Sequence, residues 1–169
     1  KIIGVGRSDS SLETAKELGA ISEGTTNIRE GVADADFVLV ATRVSVIGNQ
    51  LEEIDTCVRP GTPITDAGST KQSIVDRWEQ SRSSRKGRFV GSHPLAGSHK
   101  RGPQAADPAL FEDKLTVLTP VESTPKSDTQ SISAFWQLIG AQVCHLSPSE
   151  HDQLLASASH APHIVAAAL

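Results

Sequence analysis

The sequence predicts an α/β protein built on a doubly wound, mainly parallel sheet. Two observations carry this reading. Short apolar runs rich in Val and Ile alternate with helical stretches of about ten residues or more, the pattern of βαβ units. The run Phe37-Val38-Leu39-Val40-Ala41 is apolar throughout instead of alternating, as a central strand covered on both faces requires.

The elements follow in order. A strand over 2–6, opening Ile2-Ile3-Gly4-Val5, leads to a helix over 11–18. A weaker helical turn over 27–33 precedes the apolar strand over 37–41, and a helix over 44–53 follows it. The strand Pro63–Asp66 is followed by a helix over 71–80, and a polar loop over 85–87 separates that helix from a strand over 89–91. A longer polar segment, 97–108, holds two Pro and two Gly. Then come a strand over 116–119, a polar loop over 120–127, a helix over 129–138 and a last strand over 142–146. From Pro148 onward, small and apolar residues at helical spacing predict a long final helix leading into a second domain. The expected division is 1–147 and 148–169.

Composition narrows the function. The 169 residues carry 16 Lys+Arg against 20 Asp+Glu, a net charge of -4, and aromatics are 4%. Neither a phosphate-tracking basic stripe nor a base-stacking platform is present, so nucleic acid is not an expected partner. No apolar run approaches the ~20 residues that cross a bilayer, and no membrane partner is expected. A soluble, cytoplasmic protein is the expectation. Cys57 and Cys144 lie far apart in strand-like stretches and read as small buried hydrophobes in a reducing compartment. The chain has no Met, opens directly in a strand and ends in an apolar helical run without Gly, Asn or a basic last turn. It is expected to be a fragment cut at both ends.

In an open parallel sheet, ligands bind at the carboxyl ends of strands. After the first strand stand Gly6, Arg7 and Ser8. An Arg with neighbouring hydroxyls suits a ribose 2′-phosphate, and a solvated turn with Ser10 or Ser11 capping the next helix fits the same residues. After Pro63–Asp66 comes Ala67-Gly68-Ser69-Thr70-Lys71, where Ser69 alone reads as a helix cap. After the strand over 89–91 comes Ser92-His93-Pro94, in which Pro94 fixes a non-helical turn and presents the His93 imidazole at a strand end. If the two strands are neighbours, Ser69 and His93 converge, and His93 becomes a plausible base near neutral pH. His151, Ser159, His160 and His163 form a third cluster. His160 and His163 share a helix face, a spacing that also suits a metal pair, but His-Glu-x-x-His is absent and no metal is expected. His145 and His151 are read as facing water or packing against the sheet.

Four blocks in order and spacing resemble the prephenate/arogenate dehydrogenase family over essentially the whole chain: Asp66-Ala67-Gly68-Ser69-Thr70-Lys71, Gly91-Ser92-His93-Pro94-Leu95-Ala96-Gly97-Ser98, Thr116-Val117-Leu118-Thr119-Pro120, and His151-Asp152 with Ser159-His160-Ala161-Pro162-His163. The resemblance implies a Rossmann-like fold and an oxidoreductase of tyrosine biosynthesis that decarboxylates a small-molecule substrate oxidatively with NAD or NADP. It implies that 1–147 is the nucleotide-binding domain and that 148–169 starts a helical domain that forms a homodimer. It implies further that a preceding strand with its G-x-G-x-x-G loop is missing, so that the fragment alone is inactive.

By the same resemblance, His93 is the catalytic histidine that draws off the proton of the substrate's ring hydroxyl. Ser69 orients His93 and touches substrate or nicotinamide. Ser159, His160 and His163 contact the substrate's carboxylates and side chain, with His99 where several members carry an acid that helps select the substrate. Gly6, Arg7, Ser8, Thr42 and Ser69 lie on the cofactor side. Arg43 stands where many members have Pro, and the 6–8 segment lacks the acid that favours NAD, which tilts the expectation toward NADP. Two rival readings are a catalytically idle nucleotide-binding regulator and a dehydrogenase of the β-hydroxyacid type. The second needs a Lys from the following helical domain, and nothing after Ser147 supplies one.

Overall fold

The computed structural model describes residues 1–80, 84–97 and 102–157. In chain order it contains β1 (Ile3–Val5), α1 (Asp9–Glu17), β2 (Glu23–Thr25), α2 (Ile28–Val32), β3 (Val38–Val40), α3 (Val44–Cys57), β4 (Pro63–Asp66), α4 (Gln72–Glu79), β5 (Arg88–Pro94), β6 (Leu115–Thr119), α5 (Lys126–Leu138), β7 (Gln142–His145) and α6 (Pro148–Leu155), with a 3-10 turn at Pro103–Ala105. The strands β3 to β7 form a five-stranded sheet in sequence order, and β1 and β2 pair in a separate parallel ribbon. Within the larger sheet only β5 and β6 run antiparallel. The α/β class and the mainly parallel pairing are as expected.

Helices cover both faces of that sheet, and β5 shows it in two consecutive residues. Phe89 packs with Ile47, Leu51, Ile54, Ile74, Val75 and Trp78 of α3 and α4. Val90, pointing to the opposite face because side chains alternate along a strand, packs with Ile132 and Trp136 of α5. Each face of the strand is thus sealed by its own helical layer, which is why the strands read as nearly continuous apolar runs.

Four local readings change. β2 escapes a hydrophobic scan because Glu23-Gly24-Thr25 carries no apolar side chain; its pairing with Ile3, Gly4 and Val5 makes it a strand. β5 runs on to Pro94, so His93 lies inside a strand and not in a turn after it. The antiparallel partner β6 holds it extended, with His93 opposite Val117 and Pro94 opposite Thr116. The helix α1 is capped by Ser8, whose Oγ accepts from the Ser11 N–H, so neither Ser10 nor Ser11 is its cap. The two cysteines are half-buried free thiols, and burial pushes the Cys144 thiol up.

At the far end, α6 is set by a capping box: the Ser147 side chain receives the Glu150 N–H, and the Glu150 carboxylate receives the Ser147 N–H. Pro148 fills the first turn, where its missing N–H costs nothing. Residues beyond 157, into which the long final helix was expected to run, lie outside the described residues.

Candidate active site

The site grows from the turn after β4. Asp66 closes that strand fully buried, and the chain turns back over its carboxylate through Gly68, whose N–H donates to Asp66 Oδ2 at 2.9 Å. A Cβ on Gly68 would stand 2.8 Å from that oxygen, so the turn needs glycine. Lys71, also fully buried, completes the turn by placing its ammonium on Asp66 Oδ2 and donating to the Ser92 carbonyl at 2.9 Å. Its stem crosses β5 at Gly91, where an added Cβ would meet Lys71 Cδ at 3.5 Å and Thr119 Oγ1 at 2.6 Å. Burial pushes the Asp66 carboxyl up and the Lys71 ammonium down, and each charge opposes the other's shift. Asp66 Oδ1 also accepts the Ser92 N–H at 3.1 Å.

On the opposite face, Trp136 Nε1 donates to Ser92 Oγ at 3.0 Å, and Thr65 Oγ1 lies 2.8 Å from the same oxygen. Ser92 Oγ in turn bonds the Asp66 carbonyl. The residue before His93 is therefore held on both faces by buried polar groups with partners.

His93 itself is half-buried at the carboxyl end of the parallel strands. Its Nδ1 lies 2.9 Å from His151 Nε2, with the two rings edge to face at 71°. His151 is fully buried, and its Nδ1 lies 2.7 Å from Asp152 Oδ1. The Asp152 carboxylate accepts the N–H groups of Lys71 at 2.7 Å and Gln72 at 3.0 Å, where α4 begins. Burial pushes the Asp152 carboxyl up, but those two N–H groups and the His151 ring outweigh it and hold it below the ordinary carboxylate value.

The reading of His151 as facing water or merely packing on the sheet is thus corrected: it is a hydrogen-bonding neighbour of His93. The His151-Asp152 dipeptide was visible in sequence, but its contact with β5 depends on the docking of α6 beside α4 and β6. Asp66 and Lys71 were also missed as a pair, although two opposite charges flanking a Gly-Ser turn after a strand were the available signal. His145 faces outward beside Ser133. Ser69 does not cap α4; Lys71 occupies the cap position and Asp152 supplies the acceptor. Ser69 is exposed, on the turn after β4, and β4 is the parallel neighbour of β5, so it stands at the same sheet end as His93. His99, Ser159, His160 and His163 lie outside the described residues.

Three strand ends offer groups to a nucleotide. After β1, Arg7 is exposed and is followed in the chain by Ser8, Ser10 and Ser11, whose hydroxyls cluster, with Ser8 Oγ 3.0 Å from Ser11 Oγ. The donor set fits a phosphate, and Asp9 is the neighbouring carboxylate. Gly6 approaches Leu12 so closely that a Cβ would stand 3.0 Å from its side chain. At β3, Thr42 is exposed and its hydroxyl bonds Gln50 of α3. At β4, the Gly68–Ser69 turn stands at the same sheet end as His93. These residues fit the two ends of a dinucleotide. Among the described residues, no group of three or more His, Cys, Asp or Glu is placed to hold a metal ion, and no helix is long and apolar enough to cross a membrane.

An open α/β sheet, helix-covered on both faces, with the Thr42 and Ser69 hydroxyls and an oriented imidazole at its strand ends, and a parallel ribbon that carries Arg7 at its own strand end, defines the class of nucleotide-binding α/β domains. Within that class the family model for the prephenate dehydrogenase nucleotide-binding domain matches residues 1–145, and the chain belongs to the prephenate dehydrogenase family. A prephenate dehydrogenase of Bacillus subtilis (strain 168) is 40% identical over 170 residues, covering 100% of this chain and 46% of the relative. The structure of the Aquifex aeolicus prephenate dehydrogenase in complex with hydroxyphenyl propionate and NAD+ superposes with a TM-score of 0.90 at 33% identity, covering 99% of this chain and 58% of that one. Synechocystis arogenate dehydrogenase superposes at 0.87 with 30% identity, covering 98% and 58%. The chain spans about half the length of the relatives it matches.

Proposed function

We propose that the whole protein oxidatively decarboxylates prephenate, or arogenate, to 4-hydroxyphenylpyruvate or tyrosine, with His93 as the base. The observation that carries this is the placement of His93: a half-buried imidazole at the carboxyl end of a nucleotide-binding sheet, in the block Gly91-Ser92-His93-Pro94, bonded to the buried His151 and preceded by Ser92, which buried groups hold on both faces. A bound nicotinamide nucleotide supplies the hydride acceptor. The chain's own residues do the rest. His93 accepts the hydrogen bond of the substrate's ring hydroxyl and takes its proton, so that electron density at that carbon rises as the ring is oxidised. Ser69 reaches substrate or nicotinamide from the neighbouring strand end. Ser159, His160 and His163 donate to the substrate's carboxylates, roles that rest on the resemblance alone. Arg7 with Ser8 takes a ribose 2′-phosphate, which favours NADP over NAD, and Gly6 and Thr42 flank the same nucleotide. The domain boundary is placed at 147, a reading supported by the family model's match to residues 1–145.

The test is reduction of nicotinamide, followed by absorbance, in the whole protein with prephenate and arogenate crossed against NAD and NADP. Turnover with either substrate is the expected result. Folded protein that binds a nicotinamide nucleotide yet turns over in none of the four combinations would replace this reading with that of an idle regulator.

A further inference from the structure

We propose that His151, anchored by Asp152, is a positioning residue that fixes the tautomer of His93, placing the proton on Nδ1 and the lone pair on Nε2, toward the substrate. The inference rests on the reading of His93 as the base and adds to it the group that makes it one.

Asp152 receives two backbone N–H groups and a ring nitrogen, and an ionised carboxylate has no proton of its own to give. His151 Nδ1 must therefore donate to it. With the proton on Nδ1, the neutral His151 ring has a bare Nε2. That nitrogen lies 2.9 Å from His93 Nδ1, and two bare nitrogens do not face each other at hydrogen-bond distance, so His93 Nδ1 carries the proton. The Nε2 of His93 is left as the acceptor. The alternative arrangement makes His151 an imidazolium and puts the His93 proton on Nε2, which turns His93 from a base into a donor. In the proposed arrangement each contact along Asp152, His151 and His93 is made by one donor and one acceptor, and the Asp152 carboxylate also serves the two N–H groups at the start of α4.

The arrangement is also rigid. The capping box fixes α6 at one end, and Asp152 pins it to the start of α4, so the His151 ring has little freedom to move. When His93 takes the hydroxyl proton it becomes a cation with N–H groups on both nitrogens. The His151 lone pair accepts from one of them, and the Asp152 carboxylate bonds the other nitrogen of His151.

The experiment is nitrogen NMR on the whole protein labelled with 15N-histidine, with rings assigned through His93→Asn and His151→Gln. Expected are neutral rings with Nδ1–H and bare Nε2 for both His151 and His93. A His93 ring carrying its proton on Nε2 overturns the inference. In Asp152→Asn the side-chain amide can donate to His151 Nδ1, which reverses both tautomers; kcat should fall on the order of 10²-fold or more with KM little changed. His151→Gln keeps an acceptor for His93 Nδ1–H and should retain turnover within about tenfold, whereas His151→Leu has none and should lose on the order of 10²-fold. Equal turnover in the Gln and Leu variants, both folded, overturns the inference. The two readings fail separately: a reversed tautomer in an active enzyme removes the positioning role alone, while absence of turnover in the wild-type protein removes the proposed function.

Discussion

His93 and His151, 58 residues apart in sequence, are joined by a 2.9 Å hydrogen bond between Nδ1 and Nε2. The bond ties the end of β5 to the first turns of α6, so the candidate base is oriented by a helix that follows the whole five-stranded sheet in the chain.

Replacing His93 by Asn removes the imidazole while leaving a polar side chain of smaller size. In the whole protein kcat is expected to fall by about 10²–10⁴, the range for a positioned acid–base group, with KM changed far less. Steady-state rates at saturating substrate check this. A loss below about fivefold would show that another group takes the proton.

The strand positions and the placement of His93 at a strand end were legible because their signals are local. The apolar run at 37–41 needs no partner to read as a covered strand, and Pro94 biases His93 toward extended backbone from one residue away. What stayed hidden depends on distant packing. Glu23-Gly24-Thr25 becomes a strand only by pairing with β1, and β5 reaches Pro94 only because β6 returns antiparallel beside it. Lys71 reads in sequence as the first residue of a helix; its opposite charge to Asp66 is visible there, but nothing local reports that Gly91 leaves room for its stem. His151 is hidden for the same reason: its burial is decided where α6 docks, not by its neighbours in the chain.

Arg7 is exposed just after β1, and the chain continues into a cluster of three serine hydroxyls. Arg7→Ala is expected to raise KM for NADP by about tenfold, the equivalent of one charge-assisted contact of about 1.5 kcal/mol, and to leave NAD nearly unaffected. Equal loss for both nucleotides would remove the 2′-phosphate assignment. Asp9→Asn is expected to act in the opposite sense, since its carboxylate is the neighbouring negative charge.

The Lys71–Asp66 pair is a stability prediction. Both side chains are fully buried, and Asp66 keeps only backbone N–H partners once the ammonium is gone. Lys71→Met is expected to destabilise the fold by about 3–5 kcal/mol, because it strands a buried charge. Adding Asp66→Asn should recover part of that loss by removing the charge itself. Denaturant unfolding of the wild type and the two variants checks both statements, and a cost below about 1 kcal/mol for Lys71→Met would mean that water reaches Asp66.

Asp152 gives the fold a specific acid response. Its carboxyl is held below the ordinary value despite partial burial, by the Gln72 N–H, the His151 ring and the Lys71 N–H. A carboxylate depressed in the folded state stabilises fully above the unfolded value of about 3.9, and that contribution is lost as pH falls through the lower folded value. Glu150, held low by the Ser147 hydroxyl and N–H, and Glu52, held low by Arg77, act in the same direction. They are unchanged in an Asp152→Asn variant, so the difference between wild type and variant isolates Asp152. Near pH 7 the variant is expected to melt lower by several degrees, at about 2–4 °C per kcal/mol for a chain of this size. The gap should close as pH falls through the depressed folded value, below which both proteins carry a neutral group at 152. A gap of the same size at pH 7 and in acid would show that shape, and not charge, is what Asp152 brings to the start of α4.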